Sequence, residues 1–123
     1  MILFLLFGCV GNPELASSTA GCSDYDFDDP KPSTLEFEVD GDVADVWRTY
    51  VERDNLDDVF DPELSGDGDV VEIHEKWTAG SDANATCLEP HVQISGFGAP
   101  VEVRWFTEEN KGVPVDTFEI EPG

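Results

Sequence analysis

From residue 35 onward, apolar and polar side chains alternate with a period of two. Leu35, Phe37 and Val39 are separated by Glu36 and Glu38, and the run ends at Gly41, the pattern of a strand with one buried face. In the run 70–78, Val71, Ile73, Glu75 and Trp77 share one face and Glu72, His74 and Lys76 the other. Residues 91–95, 101–107 and 115–120 are further strand candidates, and Val101, Val103 and Trp105 are expected to point inward. The segment Glu108 to Gly112 is expected to join the last two as a hairpin. Residues 42–53 fit two periods at once. Val43, Val46, Trp47, Tyr50 and Val51 make a helical stripe with Asp42 as N-cap. Read instead as a strand, the segment is rich in strand-forming residues, with Trp47, Thr49 and Val51 on one face.

The strand is favoured for 42–53, because every neighbouring element is a strand. The chain then carries six or seven short strands punctuated by turn residues. Such a pattern predicts a mainly β fold, a small antiparallel β-sandwich, loosely immunoglobulin-like, over residues 34–123. A helix at 42–53 would make the fold α+β.

The N-terminal end is different in kind. Ile2 to Phe7 are six consecutive apolar residues, followed by Gly8 and Cys9. As a helix they would rise only about 10 Å, far short of the ~30 Å hydrocarbon core, so they do not span a membrane. They read as part of an export leader, although no Lys or Arg precedes residue 31, which places the expected translation start upstream. Two processing routes fit. In one, Leu6-Phe7-Gly8-Cys9 acts as a lipobox and Cys9 is lipidated; in the other, Ser18-Thr19-Ala20 is a cleavage site and the mature chain begins near Gly21. Residues 1–22 are thus assigned to a leader and lipobox region. The whole of 10–34 reads as a tether, with 23–33 its acidic part.

Asp and Glu number 28 against 6 Lys and Arg, for a net charge of −22, while 40% of residues are apolar. That is enough apolar material for a core, and the charge repels nucleic acid phosphates and anionic lipid heads alike. In molar salt the Debye length falls to about 3 Å, and such a surface no longer repels itself. By its leader (Leu6 to Cys9) and this composition, the chain resembles the small exported lipoproteins of halophilic archaea or bacteria. The resemblance implies an extracytoplasmic location, either a lipid-anchored surface protein or a secreted one, and transfers no ligand and no active site.

With Cys9 lipidated or removed with the leader, Cys22 and Cys87 remain and are expected to pair as a disulfide in an oxidising compartment. The closed loop of 65 residues (87 − 22) would contribute roughly 4 kcal/mol in the chain-entropy model. Asn84-Ala85-Thr86 is a candidate glycosylation sequon. The carboxylates Asp24, Asp26 and Asp28, and Asp54, Asp57, Asp58, Asp61, Asp67 and Asp69, are candidate Ca²⁺ ligands. Neither run matches an established loop motif, and solvated acidic loops are the favoured reading. His74 and His91 lie on different strands and outside any His-Glu-x-x-His motif, and neither a Gly-x-Ser-x-Gly elbow nor a phosphate loop is present. The sequence therefore points away from an enzyme. It points to an envelope protein with a binding or structural role and an envelope partner of unspecified nature. A Ca²⁺-binding extracellular module and a subunit of an envelope or virion assembly are the alternatives.

Overall fold

A computed structural model describes residues 13–22, 25–110 and 112–123. Cys9 and Asp24 lie outside the described residues. Within them the chain forms eleven strands and no helix: β1 (Glu14–Gly21), β2 (Leu35–Asp40), β3 (Val43–Arg48), β4 (Val51–Arg53), β5 (Val59–Phe60), β6 (Glu63–Asp67), β7 (Val70–His74), β8 (Trp77–Thr78), β9 (Thr86–Ser95), β10 (Val101–Phe106) and β11 (Asp116–Ile120).

The first sheet is built on the ten-residue β9. One of its edges carries β1, from Glu14↔Ser95 to Gly21↔Leu88. The other carries β3, from Val43↔Ser95 to Trp47↔His91, and then β4, from Val51↔Leu88 to Arg53↔Thr86. β2 lies outside β3. The second sheet runs β11-β10-β7-β6, with antiparallel hairpins at either side of a parallel β7–β10 pair. Gly68, at φ 65°, makes the β6–β7 turn in a backbone conformation that glycine adopts without strain. β5 and β8 form a small two-stranded sheet.

The alternation read from the sequence sets which side chains meet between the sheets. Ala44, Val46, Val92 and Ile94 of the first sheet and Val71, Ile73, Val103 and Trp105 of the second are fully buried. Val51, Phe60, Trp77, Leu88, Phe97, Val101 and Ile120 complete the same core. Phe37 on β2 and Phe118 on β11 stack 4.8 Å apart at an interplanar angle of 8°. That contact joins an edge strand of one sheet to an edge strand of the other.

The β-sandwich expected from the sequence is therefore the architecture found. Residues 42–53 are strand, as favoured, but in two pieces broken at 49–50, so Trp47, Thr49 and Val51 do not share one face: Val51 is buried in the core. Ala44 and Val46 face the core, and Trp47 lies opposite, stacked on His91 with ring centres 5.4 Å apart. The tether expected over 10–34 is corrected as well: Glu14–Gly21 is a paired edge strand. Its sequence hides this, because the strand buries almost nothing. Leu15 alone packs against the core, and main-chain pairing to β9 holds the rest.

Candidate functional site

Arg48 and Arg53 are five residues apart, an odd spacing that puts two side chains on opposite faces of a regular strand. Here both reach the same end of the sandwich, because the strand is interrupted between them. Tyr50 has φ +50°, the left-handed region that a bulky side chain rarely enters. Its neighbour is tied down: the Thr49 N–H donates to the Thr34 carbonyl at 2.8 Å, and the Thr34 N–H donates to Thr49 Oγ1 at 2.9 Å. Opposite the break on β9 stands Pro90, which has no N–H to offer a partner. The interruption shifts the parity, so that Arg48 continues the inward face of Ala44 and Val46 while Val51 and Arg53 take it up again.

The inward face of β7 supplies the counter-charge. Glu75 follows Val71 and Ile73 by parity, and its side chain is only 2% exposed. A carboxylate buried this deeply needs charge-assisted donors, and four N–H groups reach it. Arg48 donates from Nε to Oε2 at 2.5 Å and from Nη2 to Oε1 at 3.0 Å. The indole N–H of Trp105 donates to Oε2 at 2.6 Å, and that of Trp77 to Oε1 at 3.3 Å. The remaining guanidinium nitrogen, Nη1, donates to Ser33 at 2.9 Å. Arg53 donates to Asp58 at 2.8 Å and lies over the Trp77 ring, 4.6 Å from its centre.

Above this network opens a pocket of about 370 Å³, within the range of small-molecule sites. Its wall is the stacked pair Tyr25 and Tyr50, ring centres 5.7 Å apart, with the Lys31 ammonium 5.5 Å from the Tyr50 ring centre. Tyr25 donates its hydroxyl to Glu52. That hydrogen bond to a carboxylate favours the protonated phenol and pushes its pKa up to about 12. Of the chain's six Lys and Arg residues, three line this pocket: Lys31, Arg48 and Arg53. They meet four carboxylates, those of Glu52, Glu75, Glu108 and Glu109. A ligand here finds charged donors and acceptors interleaved, beside one aromatic wall.

The residues singled out from sequence fall elsewhere. Cys22 and Cys87 form the expected disulfide, Cα atoms 5.4 Å apart, where β1 ends. Asp57 and Asp58 clasp the turn before β9: Asp57 accepts the Ser81 and Asp82 N–H groups, each at 3.0 Å, and Asp58 accepts the Gly80 N–H at 2.8 Å. These backbone donors hold both carboxyls below the usual carboxylate range, with Arg53 adding to the effect at Asp58. Gly80 is required there, since a Cβ would strike Asp57. Asp26 accepts the Asp28 N–H at 2.9 Å. Asp54 and Asp61 lie in the connections on either side of β5, and Asp67 and Asp69 flank the Gly68 turn. Among the described residues, no three His, Cys, Asp or Glu side chains come together as a group that could hold a metal ion. Asn84 is exposed in the loop before β9 and donates its amide to Asp82. His74 and His91 belong to different sheets.

The pocket residues themselves were not singled out as a site by the sequence, yet one signal was there. Glu75 falls on the inward face with Val71, Ile73 and Trp77, and a carboxylate on a core face announces a buried cation partner. No protein-family model, curated protein or solved structure matches the chain.

Proposed function

We propose that this chain is an exported, acidic β-domain, lipid-anchored through Cys9, with a binding role at the envelope of a halophilic cell. The observation that carries the export reading is the Cys22–Cys87 disulfide, a bond that persists in oxidising compartments. The placement of β1 favours the anchor over cleavage near Gly21. Cleavage after Ala20 would strip away nearly all of a strand paired to β9, whereas lipidation at Cys9 leaves that strand whole. From Cys9 to Glu14 is five residues, which reach at most roughly 17 Å. The domain would stand close to the bilayer rather than on a long tether.

Cell fractionation of the native host tests this. The wild-type chain is expected in the membrane fraction and to be released by detergent, and a Cys9→Ala variant is expected in the medium or the soluble fraction. Identical partitioning of the two would overturn the anchor.

A further inference from the structure

We infer that the pocket bounded by Tyr25, Tyr50, Arg48, Arg53 and Lys31 binds a pyranose unit of a neutral glycan. The lining charges argue against a simple ion. The lining holds three cations and four carboxylates, a net of −1. With Arg48 and Glu75 spent on each other, Lys31 and Arg53 face Glu52, Glu108 and Glu109, so neither an anion nor a cation gains much from the site as a whole. A ligand whose every hydroxyl both donates and accepts can meet the Lys31 ammonium, the Arg53 guanidinium and the Glu52, Glu108 and Glu109 carboxylates together. The Tyr25–Tyr50 pair gives the C–H face of a sugar ring an apolar wall. Such contacts also suit a chain of this charge. In molar salt an attraction between separated ions is screened within about 3 Å, while hydrogen bonding and ring contact persist.

Backbone strain points to the same place. The left-handed conformation of Tyr50 is sustained beside the Thr34–Thr49 bonds and brings Arg48, Tyr50 and Arg53 to one pocket. Strain of this kind concentrates at binding sites. The direction of β1 adds an orientation, and only this step rests on the anchored reading above. β1 starts at Glu14, on the anchor side, and ends at Gly21, level with Leu88 and hence with Val51 in the pocket wall. Eight residues of strand span about 26 Å, so the pocket opens at the end of the sandwich away from the membrane.

The test is ¹⁵N-resolved NMR of the purified domain in molar KCl. Glucose, galactose, mannose and N-acetylglucosamine are titrated at high millimolar concentration, in parallel with glucuronate, inorganic phosphate and glycine betaine. The expected result is a saturable shift of the Arg48 and Arg53 Nε–H and Trp77 Nε1–H signals with at least one neutral sugar. Two variants separate binding from folding. Tyr25→Ala is expected to weaken binding about fivefold to tenfold, the effect of losing one ring contact, with the melting temperature little changed. Tyr50→Gly adopts a positive φ without strain, so it should lose binding while melting no lower than the parent. No shift at these signals with any neutral sugar overturns the inference. So does a shift confined to glucuronate, phosphate or betaine, or binding that survives both variants. None of these outcomes depends on the anchor, and fractionation of the Cys9→Ala variant does not depend on the sugar.

Discussion

Glu75→Gln is the substitution on which the interior network stands or falls. The change is nearly isosteric, so it opens no cavity, and it replaces one carboxylate oxygen with an amide NH₂. Each oxygen now accepts two N–H donors: Oε1 from Arg48 Nη2 and Trp77, Oε2 from Arg48 Nε and Trp105. Whichever way the amide turns, its NH₂ faces two donors. The better orientation keeps the oxygen on the Arg48 Nε and Trp105 side, where the contacts are shortest and Trp105 is fully buried. Trp77 and Arg48 Nη2 then lose their acceptor. A buried orphaned donor costs about 1–3 kcal/mol. Arg48, 19% exposed, recovers part of its loss from water through the pocket. The expected destabilisation is about 3 kcal/mol, at the low end of what breaking a buried ion pair costs. For a domain of this size that lowers the melting temperature by roughly 12 °C or more. Urea unfolding followed by tryptophan fluorescence at constant molar KCl is the assay, because guanidinium would change the ionic strength as it unfolds the chain. Arg48→Met should cost less in the Gln background than alone, since the two residues share one interaction. A Gln variant within about 1 kcal/mol of the parent would refute the reasoning.

Other outcomes follow from the same geometry. Melting temperature should rise with total monovalent salt whatever the cation, since the −22 net charge is relieved by screening; a rise with millimolar Ca²⁺ at fixed ionic strength would instead favour the Ca²⁺-binding reading. Cys87→Ser should lower stability by about 2–4 kcal/mol and should speed proteolysis after Gly21, while protection equal to the parent would show that the bond restrains little. Asp57 and Asp58 titrate below their ordinary value of about 3.9 in the folded chain, so their contribution is complete above that pH and is lost as acid brings the pH down through the depressed values. The stability gap between the parent and Asp57→Asn should accordingly close as the pH falls below about 4; a gap that stays constant would contradict the clasp. Gly80→Ala should destabilise the turn before β9, because its Cβ would press on the Asp57 carboxylate and main chain, and a variant melting with the parent would show that the turn yields.

Much of the fold was legible because burial here follows strict alternation. Val71, Ile73, Glu75 and Trp77 are all buried, although the single strand expected over 70–78 is divided into β7 and β8 on either side of Glu75 and Lys76. What was not legible is what alternation does not encode. β1 is held by main-chain pairing and small exposed residues, which read as linker. In the first half of β9 the adjacent Cys87 and Leu88 are both buried, which breaks the alternation, and Pro90 follows two residues on; a proline inside a strand argues against one. The interruption at Tyr50 carries neither Gly nor Pro, so nothing marked it except that 42–53 fits two periods at once. The pocket depends on that interruption. It was therefore visible in the sequence only as scattered cations in an acidic chain and as one carboxylate on a core face. The acidic runs drew attention by abundance, yet Asp57 and Asp58 act locally on a turn.

An intact mass of the chain purified from its native host, with and without reductant, tests the central claim most directly. An anchored, disulfide-bonded envelope domain predicts a chain that begins at Cys9, carries the added mass of a diacylglycerol group and gains two hydrogen atoms on reduction. A chain beginning near Gly21 without lipid would contradict the anchor and remove β1 from the mature fold. An unprocessed chain with three free thiols would contradict export itself.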